Sequence, residues 1–156
     1  MKVSYNQSVY YMRKAFTEAK KSKCPRTKVG CILVKDDVVL LSAHNNEVLS
    51  LDKCTKDGCI REIGGVLSGS DMELCRGIHA EQKIIVSCSL NNINPLGGTI
   101  YSTHSPCLTC AKILMEAGIS KLYYCIDYPQ EEFKSLFDEV GLKHEKIELE
   151  EINYDK

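Results

Sequence analysis

The segment TIYSTHSPCLTCAKILMEAGISKLYYCI, residues 99–126, decides how this chain folds. Its two ends, Thr99 to Thr103 and Leu122 to Ile126, are short apolar runs rich in β-branched and aromatic residues, the composition of strands. Between them Pro106 suits the start of a helix, where a missing N–H costs no hydrogen bond. That helix runs to Ala117, and Gly118 stops it. A strand–helix–strand unit of this kind implies parallel pairing and a right-handed crossover. Cys107 and Cys110 stand three apart in the first helical turn, so their thiols face the same way.

Upstream, His79 to about Leu90 reads as another helix. Helical residues two apart point about 200° apart. His79 and Glu81 therefore meet one centre only if His79 stands where the chain is entering the helix, and the free amides there favour anionic groups. Further out, Val9, Met12, Ala15, Phe16 and Ala19 make one apolar stripe on a helix over residues 8–21, which Pro25 closes. Val29 to Val34 and Val38 to Ala43 flank the turn Lys35-Asp36-Asp37 and predict an antiparallel hairpin. Glu131 to Val140 is a helix ended by Gly141, and residues 142–149 form a short edge strand. The order αββαβαβαβ predicts an α/β fold whose sheet is covered on both faces by helices. Residues 44–78 are irregular, with glycines at 58, 64, 65, 69 and 77. A loop of this length inside a small domain is functional or tied down.

A length of 156 residues fits one domain, 1–156, with a sizeable core. The net charge of −1 offers no broad basic footprint for nucleic acid or an anionic membrane. No run approaches the ~18 apolar residues of a membrane span. Met1 to Gln7 carries no apolar signal region, so the expected location is cytoplasmic. The nine cysteines are an odd number and lack a secretory context, which argues for metal binding over a disulfide framework.

His79, Cys107 and Cys110 are one imidazole and two thiolates, a set suited to zinc. Three protein ligands leave a fourth corner for water, the arrangement of a catalytic site. Zinc lowers the pKa of bound water from 15.7 to about 7. Glu81 is the acid of the motif placed to handle the protons of that water. One carboxylate that takes a proton from water and passes it to a leaving amine performs both halves of a hydrolytic deamination. Positioned groups of this kind contribute about 10²–10⁴-fold. H-x-E followed by P-C-x-x-C is the pattern of zinc deaminases.

On these residues the chain resembles the cytidine/deoxycytidylate deaminase superfamily, and is most similar to the deoxycytidylate (dCMP) deaminases. The likeness covers about residues 8–128. It includes Lys23-Cys24-Pro25-Arg26-Thr27-Lys28-Val29-Gly30, Asn45, Cys75 to Gln82, Ser105 to Lys112, Glu116 to Ile119, and Asp127-Tyr128. The resemblance implies a three-layer α/β/α cytidine-deaminase-like fold with a mixed five-stranded sheet, and a homo-oligomer, a hexamer or dimer. It implies conversion of dCMP to dUMP and ammonia, which supplies the dTMP precursor, with Asn45 contacting the sugar and Ala80 among the substrate-binding residues. Two segments depart from the family pattern. Lys83 and Ile84 replace an Asn-Ala pair after the zinc histidine, and Ala43-His44-Asn45-Asn46 replaces Gly-Tyr-Asn-Gly.

Some members of the family hold a second, structural zinc, and Cys24, Cys54, Cys59 and Cys75 supply four thiolates in matching places. A Cys₄ set is a closed site that would tie the long loop down. Cys31, Cys88 and Cys125 fall in apolar patterns and read as core residues. Arg26 and Lys28, just before the first strand, are candidates to hold a substrate phosphate. His44 and His104 flank the expected cleft, and His144 reads as a surface residue. The competing readings are a deaminase of tRNA adenosine, a deaminase of another free nucleoside, nucleotide or modified base, and an inactive binding protein on the same fold. Balanced charge and the cysteine-rich insert disfavour the first, and an intact Glu81 disfavours the last.

Overall fold

A computed structural model of the chain describes residues 5–48 and 54–149. Helix α1 (Tyr5–Ala19) leads into β1 (Gly30–Lys35) and β2 (Val38–His44). The two strands pair antiparallel through Asp36 and Asp37, whose φ angles of 51° and 60° suit a tight hairpin turn with left-handed backbone at both central positions. The region read as irregular holds four small elements among the described residues: β3 (Asn46–Glu47), the one-turn helix α2 (Ile60–Ile63), a 3-10 turn (Met72–Leu74) and β4 (Gly77–Ile78), which pairs with β3. Then come α3 (Ala80–Leu90), β5 (Thr99–His104), α4 (Leu108–Glu116), β6 (Lys121–Ile126), α5 (Glu132–Val140) and β7 (Lys143–Lys146).

The main sheet has the order β2-β1-β5-β6-β7. Its first two pairings are antiparallel and its last two parallel, so the five-stranded sheet is mixed, as expected. Alternation along the strands divides the core. Ile32, Val34, Tyr101 and Tyr123 face α1, where they meet Tyr11, Met12 and Ala15. Cys31, Leu33, Ile100, Leu122 and Tyr124 face the other way, onto Ile84, Leu114, Phe133 and Phe137 of α3, α4 and α5. The result is the three-layer α/β/α arrangement. Cys31, Cys88 and Cys125 are buried in it, as read. His144 is half-buried, beside the Phe133 ring and within 3.1 Å of Asp138, rather than free on the surface.

Gly30 fixes the approach of α1 to the sheet. A Cβ there would lie 2.0 Å from the Ala15 carbonyl oxygen and 2.5 Å from the Ala19 nitrogen. The C-terminal ends of the parallel strands and the start of α3 meet on one side of the molecule. The segment from Cys54 to Ile78 folds over that place.

Candidate active site

The start of α3 explains how His79 and Glu81 share one centre. His79 is the N-cap, with extended backbone (φ −71°, ψ 153°), so its ring is not carried on the helical face of Glu81. Its own N–H donates to Gln82 Oε1 at 3.0 Å, which is how a glutamine at the third helical position steadies a helix start. Cys107 is likewise the N-cap of α4, one residue beyond Pro106, and its sulfur accepts from the Cys110 N–H at 3.5 Å. The crossover thus brings two helix starts together.

His79 Nδ1 stands 3.6 Å from Cys107 Sγ and 3.3 Å from Cys110 Sγ, and the three ligand atoms lie within 4.8 Å of one another. A nitrogen and a sulfur bound to one tetrahedral zinc at about 2.0 and 2.3 Å would be about 3.5 Å apart. The spacing and the donor set therefore fit zinc. The shared hydrogen bonds push the two thiols in opposite directions: Cys107 is pulled down to about 4 by its bonds from Cys110 and His79, while Cys110, on the donating side and buried, is pushed up. One thiolate is thus already favoured at this spot.

Glu81 is buried in the floor of the cleft. Its Oε1 accepts from Ser102 Oγ at 3.1 Å, and burial raises its pKa against the opposing pull of His79. Ala80, between the two, is fully buried and also lines the cleft. Across the cleft, Asn45 is held rigidly: Val29 N–H donates to its Oδ1 at 2.7 Å, its Nδ2 donates to Thr27 O at 2.8 Å, and Ser22 Oγ donates to its carbonyl at 2.7 Å. Nδ2 keeps a second hydrogen for a ligand. His104 lines the cleft next to Thr103, and burial lowers its pKa to about 4, so the ring is neutral near pH 7. His44 is turned away and bonds Glu18 at 2.8 Å.

Arg26 lines the cleft, but Glu62 takes its Nη1 at 2.7 Å and Val66 O takes its Nη2 at 2.7 Å. Lys28 is exposed and stands outside the cleft lining. Cys24, Cys54, Cys59 and Cys75 all line the same cleft. Among the described residues only His79, Cys107 and Cys110 converge to within 4.8 Å, so no three of the other thiols do. Arg76 and Tyr128, inside segments of the family likeness, were assigned no role, and Arg61 escaped the sequence reading. So did Ser102, although its place inside a strand beside the P-C-x-x-C helix marks it as a residue of the site floor.

The family model for the cytidine and deoxycytidylate deaminase zinc-binding region matches residues 5–126. The chain is 33% identical over 155 residues to ComE operon protein 2 of Bacillus subtilis, across 99% of this chain and 77% of that one. It is 30% identical over 129 residues to the deoxycytidylate deaminase of Saccharomyces cerevisiae, across 81% of this chain but 40% of the yeast protein. Among solved structures, the dCMP deaminase of cyanophage S-TIM5 in complex with dCMP and dUMP superposes with a TM-score of 0.73 at 27% identity, covering 88% of this chain and 94% of that one. With a matching model over most of its length and a zinc-type His/Cys/Cys group at the matching place, the chain belongs to the cytidine and deoxycytidylate deaminase zinc-binding family.

Proposed function

We propose that the protein is a zinc-dependent deoxycytidylate deaminase, hydrolysing dCMP to dUMP and ammonia and so supplying the precursor of dTMP. One observation carries the choice of a nucleotide. Three arginines, Arg26, Arg61 and Arg76, line the cleft that ends at His79, and Glu81 is the one carboxylate among its described lining residues. In a chain of net charge −1, that local excess of positive charge selects an anionic ligand. The likeness to a phage enzyme solved with dCMP and dUMP supports the same reading.

In this account His79, Cys107 and Cys110 hold the zinc, which supplies Lewis acidity so that water is a usable nucleophile near neutral pH. The chain does the rest. Glu81 takes the proton from the attacking water and delivers it to the exocyclic amine, as a C–O bond forms and the C–N bond breaks. Ser102 fixes the carboxylate in the direction of transfer. Asn45 offers its remaining Nδ2 hydrogen to the sugar, Ala80 lies against the base, and Arg26, with Lys28 beyond the cleft, adds positive charge on the phosphate side. Cys24, Cys54, Cys59 and Cys75 hold a second, structural zinc. The support is that all four cysteines line one cleft and that Gly77 N–H donates to Cys75 Sγ at 3.4 Å. The working form is a single-domain cytoplasmic homo-oligomer, hexamer or dimer, without nucleic-acid or membrane partners. Among the described residues no helix is long and apolar enough to cross a membrane. Incubation with dCMP, with dUMP and ammonia measured together, tests the activity. Equimolar formation of both is expected, and neither forming overturns it.

A further inference from the structure

We infer that Arg61 binds the 5′-phosphate of the substrate and is the residue that sets the preference for a nucleotide over its nucleoside. This rests on the deoxycytidylate reading above and assigns within it a role that sequence position did not suggest.

Arg61 belongs to the four-residue helix α2, yet it is only 6% exposed. A guanidinium is never deprotonated in proteins, so a full positive charge is buried here. Its Nη2 donates to Leu67 O at 3.2 Å and Ser70 O at 2.8 Å, both neutral carbonyls. Its Nε is buried without a hydrogen-bond partner, and no carboxylate pairs with the side chain among the described residues. The other two cleft arginines differ. Arg26 already has Glu62 as its counter-charge, and Arg76 is exposed to water. Burial of an unpaired charge is strongly unfavourable, so Arg61 is the group in the cleft whose charge the protein leaves for a ligand to balance.

The position is right for a substrate. Arg61 lines the same cleft as His79, Glu81 and Asn45. With Nη2 held by the two carbonyls, Nη1 keeps both of its hydrogens for charge-assisted hydrogen bonds to phosphate oxygens. A neutral carbonyl of the base would satisfy a hydrogen bond but leave the charge unmatched. The carbonyls of Leu67 and Ser70 hold Nη2, so the loop over the cleft doubles as the arginine's support.

The test uses full-length, zinc-loaded protein as wild type, Arg61→Gln and Arg61→Lys, with melting temperature recorded for each. Gln keeps a donor for the Leu67 and Ser70 carbonyls but removes the charge. Two readouts are taken: kcat/KM for dCMP and deoxycytidine, and calorimetric binding of dUMP and deoxyuridine. In Arg61→Gln the dCMP-to-deoxycytidine ratio should fall about 10–100-fold, the loss expected for charge-assisted hydrogen bonds. Deoxycytidine turnover and deoxyuridine binding should stay near wild type, dUMP binding should weaken, and Arg61→Lys should recover part of the ratio. An unchanged ratio overturns the inference. So does an equal fall for both substrates, which would make Arg61 a prop for the loop or a contact to the base. Wild-type protein that binds dUMP no tighter than deoxyuridine overturns it independently of turnover. Wild type that binds dUMP tightly yet fails to deaminate dCMP instead contradicts the deoxycytidylate reading alone.

Discussion

Ser102 Oγ donates to Glu81 Oε1 across 3.1 Å, and both residues are sealed from solvent in the floor of the cleft. A central strand therefore aims the carboxylate that lies two residues from a metal ligand. Ser102→Ala should lower kcat for dCMP about tenfold or more, because a hydrogen bond to a charged group contributes about 1.5–3 kcal/mol. Zinc content and dUMP affinity should stay at wild-type levels. A loss of dUMP binding parallel to kcat would show that the hydroxyl supports the fold of the cleft rather than the aim of Glu81.

Replacing the carboxylate itself separates chemistry from metal binding. Glu81→Gln keeps the size of the side chain and a partner for Ser102 but cannot accept the proton of water. Turnover should drop by about 10²–10⁴-fold, with zinc retained by elemental analysis. Near-normal turnover would pass the proton role to another group, and His104, neutral and on the cleft wall, is the next in position.

Metal content follows from two ligand sets. Elemental analysis of purified protein should find close to two zinc ions per chain. Cys59→Ser or Cys75→Ser should remove one of them and lower the melting temperature, since a structural zinc contributes its binding energy to folding. Cys110→Ser should remove the other and abolish turnover. One zinc in the wild type, unaffected by the Cys59 and Cys75 changes, would sink the second site.

Gly30→Ala should destabilise the fold by about 3 kcal/mol, the upper end of the range for overpacking, because the new methyl meets the backbone of α1 rather than a side chain that can move. Denaturant unfolding of the zinc-loaded protein measures it. A change under about 1 kcal/mol would mean that α1 slides along the sheet freely.

The parts of this molecule legible in the sequence are those governed by short-range rules. The segment 99–126 announces its strands by composition and its helix by Pro106 and Gly118, and the structure moves their ends by a residue or two: α4 runs from Leu108, with Cys107 as cap, to Glu116, β5 reaches His104 and β6 begins at Lys121. The opposed directions of His79 and Glu81 on an ideal helix were enough to place His79 at the helix start, where it is found. The segment from Cys54 to Ile78 was not legible, because non-periodic contacts fix it. Arg61 holds the Leu67 and Ser70 carbonyls, and Gln130 Nε2, from far along the chain, holds Gly69 O at 3.0 Å. No spacing rule reveals that a four-residue helix buries its arginine. Proximity in sequence also misled: Arg26 and Lys28 are neighbours before β1, yet only Arg26 reaches the cleft lining.

The function proposed for this cleft is deamination of a pyrimidine 5′-monophosphate. The most direct test is kcat/KM for dCMP, CMP, dCTP, deoxycytidine and adenosine with zinc-loaded protein under one set of conditions. dCMP should be the best substrate, with deoxycytidine at least about tenfold poorer for want of the phosphate contacts. Equal values for dCMP and deoxycytidine would contradict it and return the protein to the nucleoside deaminases.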